Sequence, residues 1–502
     1  MQAVSLNPLA KTSSLKQLEK QMDSVRTYNQ WIGLARDHDR ISGAQKWRET
    51  LKSSSYSFAE IDSRNKHLKE CLNSGSHRET LYALNEGVHG NMGGMGRPRL
   101  YQQAKAGTKL LIDEYVATIA KSLEFIHSAP ESEIPLPEKL DFFRRASHCY
   151  GRSALLLSGG AGLIYFHHGV AQELINQNLL PNVISGASAG SIMAAQLGSL
   201  TDEELSANYF SEKRYHEAKY EYMVDALLGR SDPLDDKQAW ERVLDEIIPD
   251  DLTFQEAFER TGRYINISIS PAEKHQSSRL MNAITSPNVY IRSAVHASCS
   301  VPGMFPPIRL WAKGSDGKAR PYLANRRWVD GSVSGDLPAK RLMRLYGVNH
   351  FIVSLINPFV VPFIEDTKIR KSKGLSTTLS ESFIRVLTES LTISERFLDN
   401  KGNTGSRLAA QLAYLVRMME QTYLGDINIL LRKENFIWRH TLYGFKPGEI
   451  ENLIDLGMRS TWPKIAQIKN AALISKTLDR ILEEANQEAL PEKQSAKHHI
   501  YT

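Results

Sequence analysis

The pentapeptide Gly186-Ala187-Ser188-Ala189-Gly190 constrains this chain more than any other stretch of it. Before it, Leu180-Pro181-Asn182-Val183-Ile184-Ser185 is short, apolar and strand-like. After it, Ser191 to Leu197 is rich in alanine and aliphatic side chains and reads as a helix. A serine on so sharp a strand-to-helix turn sits in a strained backbone, and small neighbours let the chain approach itself closely. The helix that follows turns the partial positive charge of its first N–H groups toward the hydroxyl. By itself G-x-S-x-G is a small-residue turn that packs a helix on a strand; in this context it is the pattern of a nucleophile.

A second motif lies upstream. Ser153-Ala154-Leu155-Leu156-Leu157-Ser158 is a continuous apolar run of strand length, as expected for a parallel strand buried on both faces. It ends in Gly159-Gly160-Ala161-Gly162 and passes into helix-like sequence from Leu163. Successive N–H groups in such a loop can converge on an anion. A dinucleotide-binding loop begins in the same way, but its third glycine would fall at Tyr165, so that pattern breaks. An oxyanion hole serving Ser188 is the better reading.

The nucleophile needs a proton acceptor. Asp330, in Val329-Asp330-Gly331-Ser332, is one candidate, although an aspartate before glycine is often only a turn residue. A Ser-Asp-His triad is the rival, with His350 or His440 as the histidine downstream in the chain. His167 and His168 follow the glycine loop closely and are expected to pack or hydrogen-bond it. Cys299, in a run of small residues, is expected to be a buried spacer.

Gly-Gly-Ala-Gly, Gly-Ala-Ser-Ala-Gly and Asp-Gly-Ser, in that order, resemble the patatin-like phospholipases and acylglycerol lipases. The chain is most similar to the branch with a helical region before the patatin domain, found in lipid-droplet triacylglycerol lipases and their bacterial relatives. Supporting stretches are Asn91 to Tyr101, Ser270 to Gln276, Ala297 to Phe305 and Val348 to Ser354. The resemblance implies an α/β fold of three layers, with a mainly parallel central sheet flanked by helical N- and C-terminal regions. It makes Ser188 the nucleophile and Asp330 its partner in a dyad. Gly159, Gly160, Ala161 and Gly162 become the oxyanion-hole backbone, and Gly186 and Gly190 frame the nucleophile elbow. The implied activity is a lipase or phospholipase reaction on carboxylic esters of acylglycerols or glycerophospholipids, through an acyl-enzyme and with no metal or cofactor. The third residue of the family's aspartate-glycine motif, usually glycine or alanine, is Ser332 here. The H-x-x-x-x-D acyltransferase motif of some yeast members is missing; His168 with Glu173 comes nearest. A lipid-binding protein without turnover is the alternative from another class.

Composition is that of an ordinary globular protein of several domains, 41% hydrophobic and 24% charged over 502 residues. A net charge of +6 is too diffuse to imply nucleic acid and is compatible with an anionic membrane surface. Cys71, Cys149 and Cys299 show no paired or metal-binding spacing, which fits reduced thiols. Met1 to Lys20 lacks the apolar core of a signal peptide, and the apolar stretch Phe351 to Ile364 is broken by prolines and too short to span a bilayer. The expectation is a cytoplasmic protein that meets lipid substrate peripherally, at a membrane or droplet surface.

Three regions are expected: helices over 1–140, the patatin-like catalytic domain over 150–365, and a helical region packing on it over 366–502. Ser128 to Pro137, with three prolines, reads as a linker. Tyr264 to Ser270 and His350 to Leu355 read as further strands. Leu379 to Leu391 and Leu408 to Met419 read as apolar helix stripes, buried or lid-like, and Lys368 to Lys373 as a solvated basic run.

Overall fold

The computed structural model describes residues 8–207, 248, 252–273, 276–302, 305–331, 337–358, 425–437, 439–442 and 445–498. The two C-terminal apolar stripes and the basic run at 368–373 lie outside the described residues. Packing divides the chain into two units: residues 1–153, 345–350 and 462–502 in one, 154–344 and 351–461 in the other.

The first unit is helical. Its helices include Tyr28–Ser42, Phe58–Ser74, Leu110–His127, Leu136–Tyr150 and the long Ile465–His498. Leu110–His127 is buried at Ile112, Tyr115, Ile119, Leu123 and Ile126, the spacing of one helical face. Ile474, Leu478 and Ile481 from Ile465–His498 complete the same core. Arg152 closes this unit with a two-pronged bond to the Asp479 carboxylate, 2.8 Å at its shortest. Leu136–Tyr150 begins inside the stretch that reads as a linker. Pro137 stands in the first turn, where its missing N–H is no loss, so proline there opens a helix.

The second unit is built on a sheet of seven strands among the described residues. In chain order the nine strands among the described residues are β1 (Arg152–Leu157), β2 (Val183–Gly186), β3 (Tyr264–Pro271), β4 (Arg279–Met281), β5 (Leu310–Lys313), β6 (Ala319–Tyr322), β7 (Trp328–Asp330), β8 (Val348–Leu355) and β9 (Ile427–Leu430). The main sheet runs β4-β3-β2-β1-β8-β9, with β7 also on β3; β5 and β6 form a separate pair. β1–β2, β2–β3 and β8–β9 are parallel. β1 and β8 also run parallel, because Arg152 N–H donates to Gly347 C=O at one end and Ser158 N–H to Ser354 C=O at the other. Within the main sheet, among the described residues, the short β4 and β7 alone run antiparallel to their neighbour β3. β1 and β3 are buried along almost their whole length, as in a parallel sheet covered on both faces. The mainly parallel sheet and the helical N-terminal unit agree with the architecture the sequence implied.

Helices Ile164–Asn176 and Glu449–Thr461 pack against each other at backbone distance. A Cβ on Gly169 would strike the Ile454 carbonyl, and one on Gly457 the Phe166 carbonyl. Obstruction by backbone cannot be relieved by a side-chain rotation. Gly169→Ala is expected to destabilise the protein by about 1–3 kcal/mol, read as a lowered midpoint in urea unfolding. An unchanged midpoint would mean that the two helices do not meet this closely.

Candidate functional site

β2 ends at Gly186, and helix Ala189–Ser199 begins three residues later. Between them Ser188 has φ 50° and ψ −125°. A positive φ in a non-glycine residue costs of the order of 1–3 kcal/mol and persists only where the surroundings impose it. Here the turn is too tight for any other path: a Cβ on Gly186 would meet the Gly190 carbonyl, and one on Gly190 the Leu157 carbonyl. Two hydrogen bonds hold Ser188 from either side. Its N–H donates to Ser298 Oγ (3.0 Å), and its C=O accepts from Ser191 Oγ (2.6 Å). Ser298 Oγ–H in turn donates to Ser268 C=O on β3 (2.8 Å).

β3 also fixes where Asp330 stands. Ile269 pairs with Arg279 of β4 and with Asp330 of β7, so those two strands occupy opposite edges of β3. β7 therefore runs along the edge that β2 uses. β2 leaves that edge at Gly186, opposite Ile267. Asp330 takes up the vacated edge opposite Ile269, two residues or roughly 7 Å further along. Ser188 follows two residues after Gly186, in the turn that leaves this edge. The serine and the aspartate, 142 positions apart in sequence, thus both lie beyond the end of β2. Gly331 abuts the Ser268 carbonyl that Ser298 uses, which ties the two loops to one atom of β3.

The segment Ser298-Cys299-Ser300 bridges both. Ser300 C=O accepts the Asp330 N–H (2.9 Å). Cys299 Sγ lies 3.8 Å from Ser191 Oγ, and its thiol is pushed up by burial and then by the negative charge of Asp330. A thiol held protonated in this way is a weak nucleophile; Cys299 is half-buried rather than the fully buried spacer the sequence suggested. Ser298 and Ser300 lie in a stretch that supports the family resemblance, but nothing in it marked their individual roles, which arise from a helix end (Ile291–Ser298) meeting β3 and β7.

The glycine loop starts at the same level of the sheet. Leu157, the last residue of β1, pairs with Gly186, so this loop and the elbow leave adjacent strand ends. Gly159 and Gly160 are followed by a 3-10 turn at Ala161–Leu163 and by helix Ile164–Asn176. Ala161 has φ 47°. Gly160 is crowded by Ile356, and a Cβ on Gly162 would meet the His440 carbonyl. Behind the loop, Ser158 Oγ accepts the Ile356 N–H (2.9 Å).

The histidines separate clearly. His167 is fully buried; its Nε2–H donates to Ser158 C=O (2.9 Å), leaving Nδ1 to accept from Ser354 Oγ–H (2.7 Å). Burial lowers its pKa to about 4, against a smaller opposing effect of the Ser158 bond. His168, also buried, is lowered to about 3 by burial and by its neighbour His167, and lies edge-on to Tyr165. His350 belongs with the helical unit, where its ring is 5.7 Å from that of Tyr150 and fills the space beside Gly90. His440 is buried, stacked on Phe445, with Nε2 3.2 Å from a Glu449 carboxylate oxygen. It meets the glycine loop with its backbone carbonyl.

A serine on a strained elbow, an aspartate on the neighbouring lane and a glycine loop at the same strand ends define a class: α/β proteins with a strand–serine–helix elbow on a mainly parallel sheet. Residues 155–343 match the family model of the patatin-like phospholipases, and residues 9–148 match a domain of unknown function, DUF3336. A patatin-like phospholipase domain-containing protein of Aspergillus clavatus is 30% identical over 94% of this chain and 69% of its own length. Triacylglycerol lipase SDP1L of Arabidopsis thaliana is 30% identical, covering 91% of this chain and 57% of its own. Triacylglycerol lipase 4 of Saccharomyces cerevisiae is 31% identical, covering 92% and 52%. The chain thus spans little more than half the length of the plant and yeast relatives. It belongs to the patatin-like phospholipase family.

Two expectations follow from this geometry. His167 is neutral when buried and its folded pKa lies below the ordinary value of 6.5, so its contribution to stability is complete above pH 6.5 and is lost as pH falls toward 4. The loss amounts to the order of 3 kcal/mol. Thermal midpoints measured across that window should fall steeply in wild type and less steeply in His167→Gln. Ser298→Ala removes the acceptor that holds the Ser188 N–H and should lower kcat on a soluble ester at least about tenfold, with KM little changed. Ser298→Thr, which keeps the hydroxyl, should recover most of that loss; equal damage from both variants would assign Ser298 to packing.

Proposed function

We propose that this protein is a serine acyl hydrolase that cleaves carboxylic esters of acylglycerols or glycerophospholipids with a Ser188–Asp330 dyad. The observation that carries this reading is the shared edge of β3, on which Asp330 takes up the position just beyond the point where β2 turns away into the Ser188 elbow.

In the proposed reaction, Asp330 accepts the proton of Ser188 Oγ–H as the oxygen attacks the ester carbonyl. Negative charge moves onto the carbonyl oxygen, where backbone N–H groups of Gly159 to Gly162 and the first turn of helix Ala189–Ser199 stabilise it. The C–O bond of the alcohol breaks, the leaving alkoxide takes the proton from Asp330, and the acyl group remains on Ser188. Asp330 then accepts a proton from water as the water oxygen attacks the acyl carbonyl; the bond from that carbon to Ser188 Oγ breaks, Asp330 returns the proton to Oγ, and the fatty acid leaves. Each preorganised donor in such a site typically supplies about 2.7–4 kcal/mol.

Two observations weigh against the rival triad: His350 packs with Tyr150 in the helical unit, and His440, although paired with Glu449 as a triad histidine would be, meets the glycine loop through its backbone carbonyl. The names of the plant and yeast relatives favour triacylglycerol as substrate, met peripherally at a membrane or droplet surface. Among the described residues no helix is long and apolar enough to cross a membrane.

The test is fluorophosphonate labelling alongside hydrolysis of p-nitrophenyl esters. Ser188→Ala should lose labelling and turnover; Asp330→Asn should lose turnover by about 10⁴-fold or more. His350→Ala and His440→Ala should stay active. A folded histidine variant without activity would replace the dyad by a triad. A wild type that neither labels nor hydrolyses would leave a lipid-binding protein.

A further inference from the structure

The chain between Ser300 and Asp330 is not used by the chemistry, although both of its ends are. It leaves the segment that holds Ser188 and returns as β7. Ile308 and Trp328 close its base with two reciprocal backbone hydrogen bonds of 2.8 Å. Beyond them β5 and β6 form a two-stranded sheet apart from the main one.

On β5 the alternation is sharp. Leu310 and Ala312 are buried, whereas Trp311 between them is 44% exposed. Its cross-strand neighbour is Pro321. Leu323, the residue after β6, is 42% exposed and has φ 50°. Water gains nothing from a bare indole, and tryptophan is the side chain that settles best at a membrane–water interface.

Charge is concentrated in the same place. From Ile308 to Arg327 the sequence carries six Lys or Arg against one Asp, a surplus of five where the whole chain has a surplus of six. Lys313 pairs with Glu256 and Arg320 with Asp316. Arg309, Lys318 and Arg327 are exposed, and no ion pair engages their side chains among the described residues. A cationic hairpin with Trp311, Pro321 and Leu323 exposed on it is complementary to an anionic lipid surface. Nucleic acid would also attract the cations, but it calls for flat partners to stack on, whereas proline and leucine are the other exposed apolar groups here.

We propose that the β5–β6 hairpin is the element by which this protein docks on a lipid surface bearing anionic headgroups, with Trp311 seated at headgroup level and Arg309, Lys318 and Arg327 on the headgroups. Its value to the protein rests on the acyl-hydrolase reading. Because the chain enters the hairpin from residues 298–300, where Ser298 holds the Ser188 N–H, and leaves it through β7 to Asp330, docking brings the site to the layer that contains the ester.

The test is flotation of the full chain with phosphatidylcholine vesicles, with and without phosphatidylserine, alongside turnover of a water-soluble short-chain ester. Wild type should float with the anionic vesicles, less so at high salt. Arg309→Glu/Lys318→Glu/Arg327→Glu should weaken this binding at least about tenfold. Trp311→Ala should weaken it severalfold on both vesicle types. Both variants should keep wild-type turnover of the soluble ester, which shows that the site is still assembled. Equal flotation of wild type and both variants overturns the proposal, as does wild type that binds an RNA homopolymer and not the vesicles. Wild type that hydrolyses the ester without floating overturns docking and leaves the hydrolase reading intact. Wild type that floats through these residues without any ester turnover sustains docking and removes the hydrolase reading.

Discussion

Strand β3 lends one edge to two partners in succession, and the site depends on that exchange. β2 pairs with it as far as Ile267, then turns away; β7 arrives from the opposite direction and pairs from Ile269 onward. A parallel strand and an antiparallel one can share an edge only if the first ends abruptly. The abrupt end is the elbow, made possible by Gly186 and Gly190, at whose Cβ positions backbone carbonyls already stand. The gap of one residue between the two pairings is where Ser298 reaches Ser268 C=O and Gly331 closes against it.

Strain at Ser188 is sustained by burial around it. Helix Ala189–Ser199 is buried at every residue, so the elbow cannot relax without moving the helix through the core. The glycine loop is held in a comparable way by polar bonds inside the protein: Ser158, His167, Ser354 and Ile356 form one connected set. A neutral histidine suits that position, because a charge there would have to be desolvated without a counter-ion. Histidine thus serves the loop as a fixed donor and acceptor pair rather than as a proton carrier.

The insertion between Ser300 and Asp330 shows how a short loop between two site elements acquires a second character. Its base is fixed by reciprocal hydrogen bonds, its buried alternate residues give it a footing, and its outer residues are free of core packing. Five units of positive charge can therefore collect there without a desolvation cost.

The sequence by itself determined the local chemistry. Ser188 between a strand and a helix, the glycines at 159, 160 and 162, and the buried runs of β1, β3 and β8 were all legible, because each depends on neighbours within a few residues. The helix Leu136–Tyr150 was hidden by prolines that turn out to open it. Only the tertiary structure decided how distant pieces meet. Asp330 has an unremarkable turn signature, and its place beside the elbow comes from strand register on β3. Ser298 and Ser300 matter through two hydrogen bonds made across more than a hundred residues and across thirty. The grouping of 462–502 with the N-terminal helices is equally non-local, since the stripe Ile474, Leu478, Ile481 says only that some apolar surface must cover it. Periodicity specifies that a face is buried; only the folded chain specifies against what.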